Sequence, residues 1–87
     1  MADVAVKVTV RYFAAARAAA GLDDEIIGIA PDTSLGFLVR SLGERNPELA
    51  KVLSRCSYLC DGIAVRDLRM TLKDVETIDV LPPFAGG

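Results

Sequence analysis

The chain has 87 residues, 52% of them hydrophobic, with ten Lys and Arg against twelve Asp and Glu for a formal net charge of −2. Domains average roughly 100–150 residues, so there is room for one, and a chain this short buries only about 60–65% of its unfolded surface, too little for a deep substrate cavity with its own walls. The charge balance argues against a nucleic-acid binder, the apolar content against disorder, and the absence of His removes the commonest general base and zinc ligand.

Residues 4–10 alternate Val4, Val6, Val8 and Val10 with Ala5, Lys7 and Thr9, the period of a half-buried strand. Tyr12 continues the core face. Phe13 falls on the face of Lys7, Thr9 and Arg11, where it is the odd residue. Residues 14–20 are six Ala around Arg17, closed by Gly21, and read as a short helix with a glycine stop. Residues 24–29 (DEIIGI) read as a second strand paired back to the first. Asp32 or Thr33 is the expected cap of the main helix, roughly 34–45, whose Leu35, Leu38, Val39 and Leu42 form one apolar stripe at helical period. Asn46-Pro47 stops it and starts a short helical turn with Leu49, Val52 and Leu53 inward. Residues 58–60 and 63–65 read as strands joined by Asp61-Gly62, a pair suited to a type I′ hairpin. Residues 76–81 read as the last strand, with Ile78 and Val80 on the core face and Thr77, Asp79 and Leu81 on the other.

This order predicts a two-layer α+β domain: a mixed sheet of about five strands packed on one main helix, with the apolar first and last strands side by side at the centre. Cys56 and Cys60 have neither metal-site nor redox spacing and read as ordinary small residues. The acid run Asp23, Asp24 and Glu25 reads as a solvated turn. No apolar run approaches the roughly 18 residues of a membrane span, and residues 1–10 lack the pattern of a secretory signal, so a cytoplasmic chain with reduced thiols is expected. No catalytic residue, metal site or bound cofactor is expected.

The expected domain ends at residue 81, and residues 82–87 form a separate extended tail, PPFAGG. Two prolines cannot donate to a strand ladder, so pairing should stop at Pro82 and the chain leave the sheet. The tail ends on two residues without side chains, slim enough for a narrow channel, and its one reactive group is the Gly87 α-carboxylate. An anionic carboxylate is a poor electrophile. Activated as an acyl-adenylate, it accepts a nucleophile, but this chain has no phosphate-binding loop with which to activate it.

The segments VKVTVRYFAAARAAAG, DTSLGFLVRSL, NPEL and DVLPPFAGG resemble the ubiquitin-like β-grasp sulfur carriers, nearest those that act as small subunits of molybdopterin synthases. The resemblance spans essentially the whole chain. It implies that Gly87 is adenylated by a ubiquitin-activating-like partner using ATP and Mg²⁺, then converted to a thiocarboxylate. It also implies that Pro82, Pro83, Phe84, Ala85 and Gly86 carry Gly87 into the active site of a large subunit, in a heterotetramer, where sulfur passes to cyclic pyranopterin monophosphate. Phe13 and Leu81 share the non-core faces of the two central strands and are the expected partner contact; the alternative is that the Ala-rich helix covers Phe13. Two features depart from the usual pattern: residues 73–76 lack the Gly often found before the last strand, and the hairpin carries Asp-Gly where Asn-Gly is common. Rival readings are a carrier for thiamine or cysteine synthesis, a protein modifier that forms an isopeptide bond, and a plain binding module.

Overall fold

The computed structural model describes residues 5–83. Strand β1 (Val6–Tyr12) buries Val8, Val10 and Tyr12 and exposes Lys7 and Arg11, as the alternation requires. Helix α1 (Ala14–Ala20) stops at Gly21, whose φ of 82° suits a residue without a Cβ and whose amide donates to the Arg17 carbonyl. Strand β2 (Asp24–Ile29) returns antiparallel to β1. Helices α2 (Leu35–Arg45) and α3 (Pro47–Leu53) follow. Strands β3 (Ser57–Cys60), β4 (Ile63–Val65) and β5 (Thr77–Leu81) complete one sheet of order β2-β1-β5-β3-β4. β5 is parallel to β1 and antiparallel to β3, so the first and last strands are neighbours and β5 is the central strand. This is the β-grasp arrangement expected.

The core lies between the sheet and the helices. Val8, Val10, Ile78, Val80 and Tyr58 meet Leu35, Leu38, Leu42, Leu49 and Leu53 there, with Leu72 and Val75 from the segment before β5. Asn46 links all three helices. Its Oδ1 caps α3 by accepting from the Glu48 and Leu49 amides, and its Nδ2 donates to the Ala19 carbonyl at 2.8 Å. The β3–β4 turn has positive φ at both central residues, 50° at Asp61 and 84° at Gly62, as a type I′ turn demands. The Asp61 carboxylate also accepts from the Thr77 amide at 2.9 Å, tying the hairpin to the start of β5.

Two local expectations need correction. The cap of α2 is Ser34, whose Oγ accepts from the Phe37 amide at 3.0 Å, and neither Asp32 nor Thr33. A distant segment decides this: the Leu35 and Gly36 amides donate to the Met70 and Leu68 carbonyls, so the residues before β5 satisfy donors that the helix cannot. Nor is the acid run wholly a solvated turn. Asp24 and Glu25 lie in β2, and Glu25 occupies the core-side edge opposite Val10. Tyr12 Oη donates to Glu25 Oε2 at 2.6 Å, and Arg45 Nη2 donates to the same oxygen at 2.7 Å, joining β1, β2 and the end of α2.

Burial pushes the Glu25 carboxyl upward, but the donors from Arg45 and Tyr12 outweigh it, so its pKa lies below the ordinary carboxylate value. A depressed folded-state pKa stabilises above the unfolded value of about 4.3, and that stability is lost as pH falls through the folded value. Glu25→Gln is therefore expected to cost about 1 kcal/mol at pH 7, a small figure because Arg45 is half exposed, and to cost less on acidification below about pH 4. Urea unfolding of both proteins across that range checks it.

Candidate functional site

The site is the point where β5 leaves the sheet. The β1–β5 register runs to Tyr12 opposite Val80, and the Phe13 amide makes one further bond to the Val80 carbonyl at 3.3 Å. On the other side, Leu81 pairs with Ser57. The ladder ends at Pro82, which is buried, and Pro83 is exposed. The other tail residues singled out in the sequence, Phe84, Ala85, Gly86 and Gly87, lie outside the described residues.

Phe13 and Leu81 extend the β1–β5 register by one step, on the face that the helices do not cover. Phe13 is 38% exposed and Leu81 half-buried. The Ala-rich helix does not cover Phe13. Ala14 takes a left-handed φ of 50°, and the helix turns its Ala16, not Phe13, into the core. The Arg11 guanidinium lies 5.7 Å from the centroid of the Phe13 ring, within cation–π range.

Sequence reasoning did not find the ion pair beside them. Asp79, on the same uncovered face, is only 7% exposed. Arg11 grips it with both arms, Nε to Oδ1 at 2.6 Å and Nη2 to Oδ2 at 2.9 Å. The fork geometry holds the guanidinium plane in one orientation, which in turn places it against Phe13. The signal was available: once β1 and β5 are paired in register, Arg11 falls directly opposite Asp79. Phe13, Leu81, Arg11 and Asp79 thus form an apolar and ionic collar at the root of the tail.

Elsewhere the described residues hold little reactive chemistry. No group of His, Cys, Asp and Glu among them is placed to hold a metal ion. Cys60 is buried and Cys56 half-buried, and burial pushes both thiols up, away from the reactive thiolate form. No helix among the described residues is long and apolar enough to cross a membrane.

The ThiS family model matches residues 10–87, from the middle of β1 to the last residue. The chain belongs to the ThiS family. This ThiS-family chain is similar to the molybdopterin synthase sulfur carrier subunit of Chlamydomonas reinhardtii, 25% identical over 94% of this chain and 100% of that protein. It is similar to a chain in the complex of subunits 1 and 2 of the molybdopterin-converting factor from Helicobacter pylori, with 27% identity, TM-score 0.69, and 94% and 100% of the two chains covered. It is also similar to small archaeal modifier protein 1 of Methanosarcina acetivorans, with 26% identity, TM-score 0.77, and 97% and 99% covered.

If the collar is held by its ion pair, Arg11→Met and Asp79→Asn should each lower the urea midpoint. The double variant should lose less than the sum, since each single change strands the other group. A double-mutant cycle measures this; strict additivity would show that the pair does not couple.

Proposed function

We propose that this chain is a sulfur carrier whose working group is the Gly87 acyl carbon, and that it serves as the small subunit of a molybdopterin synthase. The observation that carries the reading is the central strand β5 running directly into Pro82-Pro83 beside an uncovered apolar collar, in a chain that matches the ThiS family through Gly87. The Chlamydomonas and Helicobacter relatives support the molybdopterin branch.

In this scheme the Gly87 carboxylate attacks the α-phosphate of ATP on an adenylating partner, pyrophosphate leaves, and an acyl-adenylate forms. The partner supplies Mg²⁺ and the phosphate clamp. A sulfur nucleophile then displaces AMP and leaves a thiocarboxylate. The tail, residues 82–87, enters the large subunit, and the thiocarboxylate sulfur passes to cyclic pyranopterin monophosphate. Water restores the carboxylate. The chain contributes positioning: β5 holds the root, Pro82 ends the ladder, and Phe13 and Leu81 dock against the large subunit. A second reading, conjugation of Gly87 to a lysine amine, is favoured by the likeness to the Methanosarcina modifier. It uses the same acyl-adenylate and differs only in the nucleophile.

A variant ending at Ala85 is expected to fold normally and to abolish molybdopterin production in cells lacking the native gene; restored production would overturn the proposal. Intact-mass measurement after loading separates the two readings. A carrier gains the mass difference between sulfur and oxygen, whereas a modifier appears in larger conjugates. Phe13→Ala should weaken large-subunit binding by about tenfold or more, the range of an apolar interface anchor, with the thermal midpoint nearly unchanged. Calorimetric titration checks this.

A further inference from the structure

The sheet has two edges, β2 on one side and β4 on the other. β4 is only three residues long. β2 pairs with β1 over all six of its residues, Asp24 to Ile29, without a bulge, and it contains no Pro or Lys. Shortness, bulges, Pro and Lys are the usual guards of an exposed edge, and β2 lacks the last three.

The Tyr12 amide donates to the Asp23 carbonyl at 2.8 Å, which sets the phase of the antiparallel ladder. Bonded pairs alternate from there, so Glu25, Ile27 and Ile29 turn their backbone groups toward β1. Asp24, Ile26 and Gly28 turn theirs outward, and these make no other backbone hydrogen bond among the described residues. The same three residues lie on the face that the helices leave uncovered, where Ile26 is 69% exposed. On β1, Lys7 stands opposite Gly28 and Arg11 opposite Asp24. Arg11 is taken by Asp79, and neither Lys7 nor Asp24 has a salt-bridge partner among the described residues. On the other face, a groove of about 370 Å³ lined by Ile27, Ile29, Phe37 and Leu38 separates β2 from α2. The helix layer therefore leaves this edge open.

We propose that β2 pairs antiparallel with β2 of a second copy, about a twofold axis through Ile26, joining two sheets into one. The pairing sets Ile26 against Ile26 and Asp24 against Gly28 of the other copy, and each of these outward-facing pairs exchanges two backbone bonds. Each Ile26 covers its twin. Gly28 has no side chain, so Lys7 can reach across it to Asp24 of the second copy, two strand spacings or about 10 Å away between backbones. The axis makes this ion pair twice, once on each side of the apolar contact. The neighbouring registers are worse. Moving the axis to residue 25 sets Glu25 against Glu25, and moving it to residue 27 parts Asp24 from Lys7. Such an interface is isologous and closes at two copies. One short strand against its twin falls below the roughly 1,200 Å² of stable interfaces, so the dimer is transient, with a dissociation constant on the order of 0.1–1 mM. β1 stands between this seam and β5, so the paired form leaves both tail roots uncovered. The inference does not depend on the role of Gly87.

The test uses the unmodified full chain alone. Sedimentation equilibrium from about 20 μM to 1 mM is expected to show a monomer–dimer equilibrium in the stated range. Amide NMR shifts on dilution should be confined to β2 and the facing half of β1. In a mixture of labelled and unlabelled chains, the Glu25 Hα should show a contact to Ile27 Hα of the other copy, since these two form a non-bonded pair in this register. Ile26→Lys should abolish the dimer. Lys7→Glu and Asp24→Lys should each weaken it about fivefold or more, and the two together should restore it to within about twofold. All three side chains are exposed, and retention of the remaining amide pattern confirms folding of each variant. A monomer at 1 mM would overturn the proposal. So would a dimer indifferent to Ile26→Lys, or single charge reversals that the double variant does not rescue. Dilution shifts centred on Phe13 and Leu81 would place the contact at the collar and would equally overturn it.

Discussion

The parallel pairing of β1 with β5 is the constraint on which the rest of the structure depends. It joins a strand from each end of the described chain at the middle of the sheet, with β2 outside one and β3 outside the other. β5 therefore has backbone partners on both sides along most of its length. The chain therefore reaches Pro82 from an interior strand, not from a fraying edge. Central strands open only in the larger unfolding events, whereas termini usually fray at little cost.

The second constraint is one-sidedness. The three described helices lie on one face of the sheet, and their apolar side chains meet those of the strands there. The other face must present residues that tolerate water and still pack. Near the tail it does so with Arg11, Asp79, Phe13 and Leu81. The nearly buried Asp79 carboxylate would be costly alone, and the Arg11 fork makes it tolerable. The same fork holds Arg11 next to Phe13, so an ionic interaction fixes the shape of an apolar contact. Farther along the face, Ile26 on β2 is 69% exposed, a single apolar residue with no such scaffold around it.

The fold was legible in the sequence because its elements carry strong local signals. Alternation marked β1, the Leu stripe marked α2, and Asp61-Gly62 marked the hairpin. Asn46-Pro47 marked the break between α2 and α3. What the sequence did not show is what arises between elements distant along the chain. Ser34 caps α2 because the carbonyls of residues 68 and 70 serve its first amides. Glu25 looked solvated because its partners, Tyr12 and Arg45, lie 13 and 20 residues away. Arg11 and Asp79 are 68 residues apart and meet only through strand register. The tail chemistry, by contrast, was legible only as a motif, for it lies beyond the residues described.

Pro82 is where the two requirements meet. The Val80 carbonyl faces β1, where it accepts from the Phe13 amide, so residue 82, two along the strand, turns its backbone to the same side. A residue with an amide hydrogen at 82 could add one more rung to the β1–β5 pairing, toward Phe13. Proline removes that donor and restricts the residue before it to extended backbone, which suits the end of a strand. Its ring is buried, so it anchors the root with apolar contact while refusing the hydrogen bond. The boundary between the paired strand and the segment beyond it is thus drawn by the chemistry of one residue. Substituting it would blur that boundary without touching Gly87.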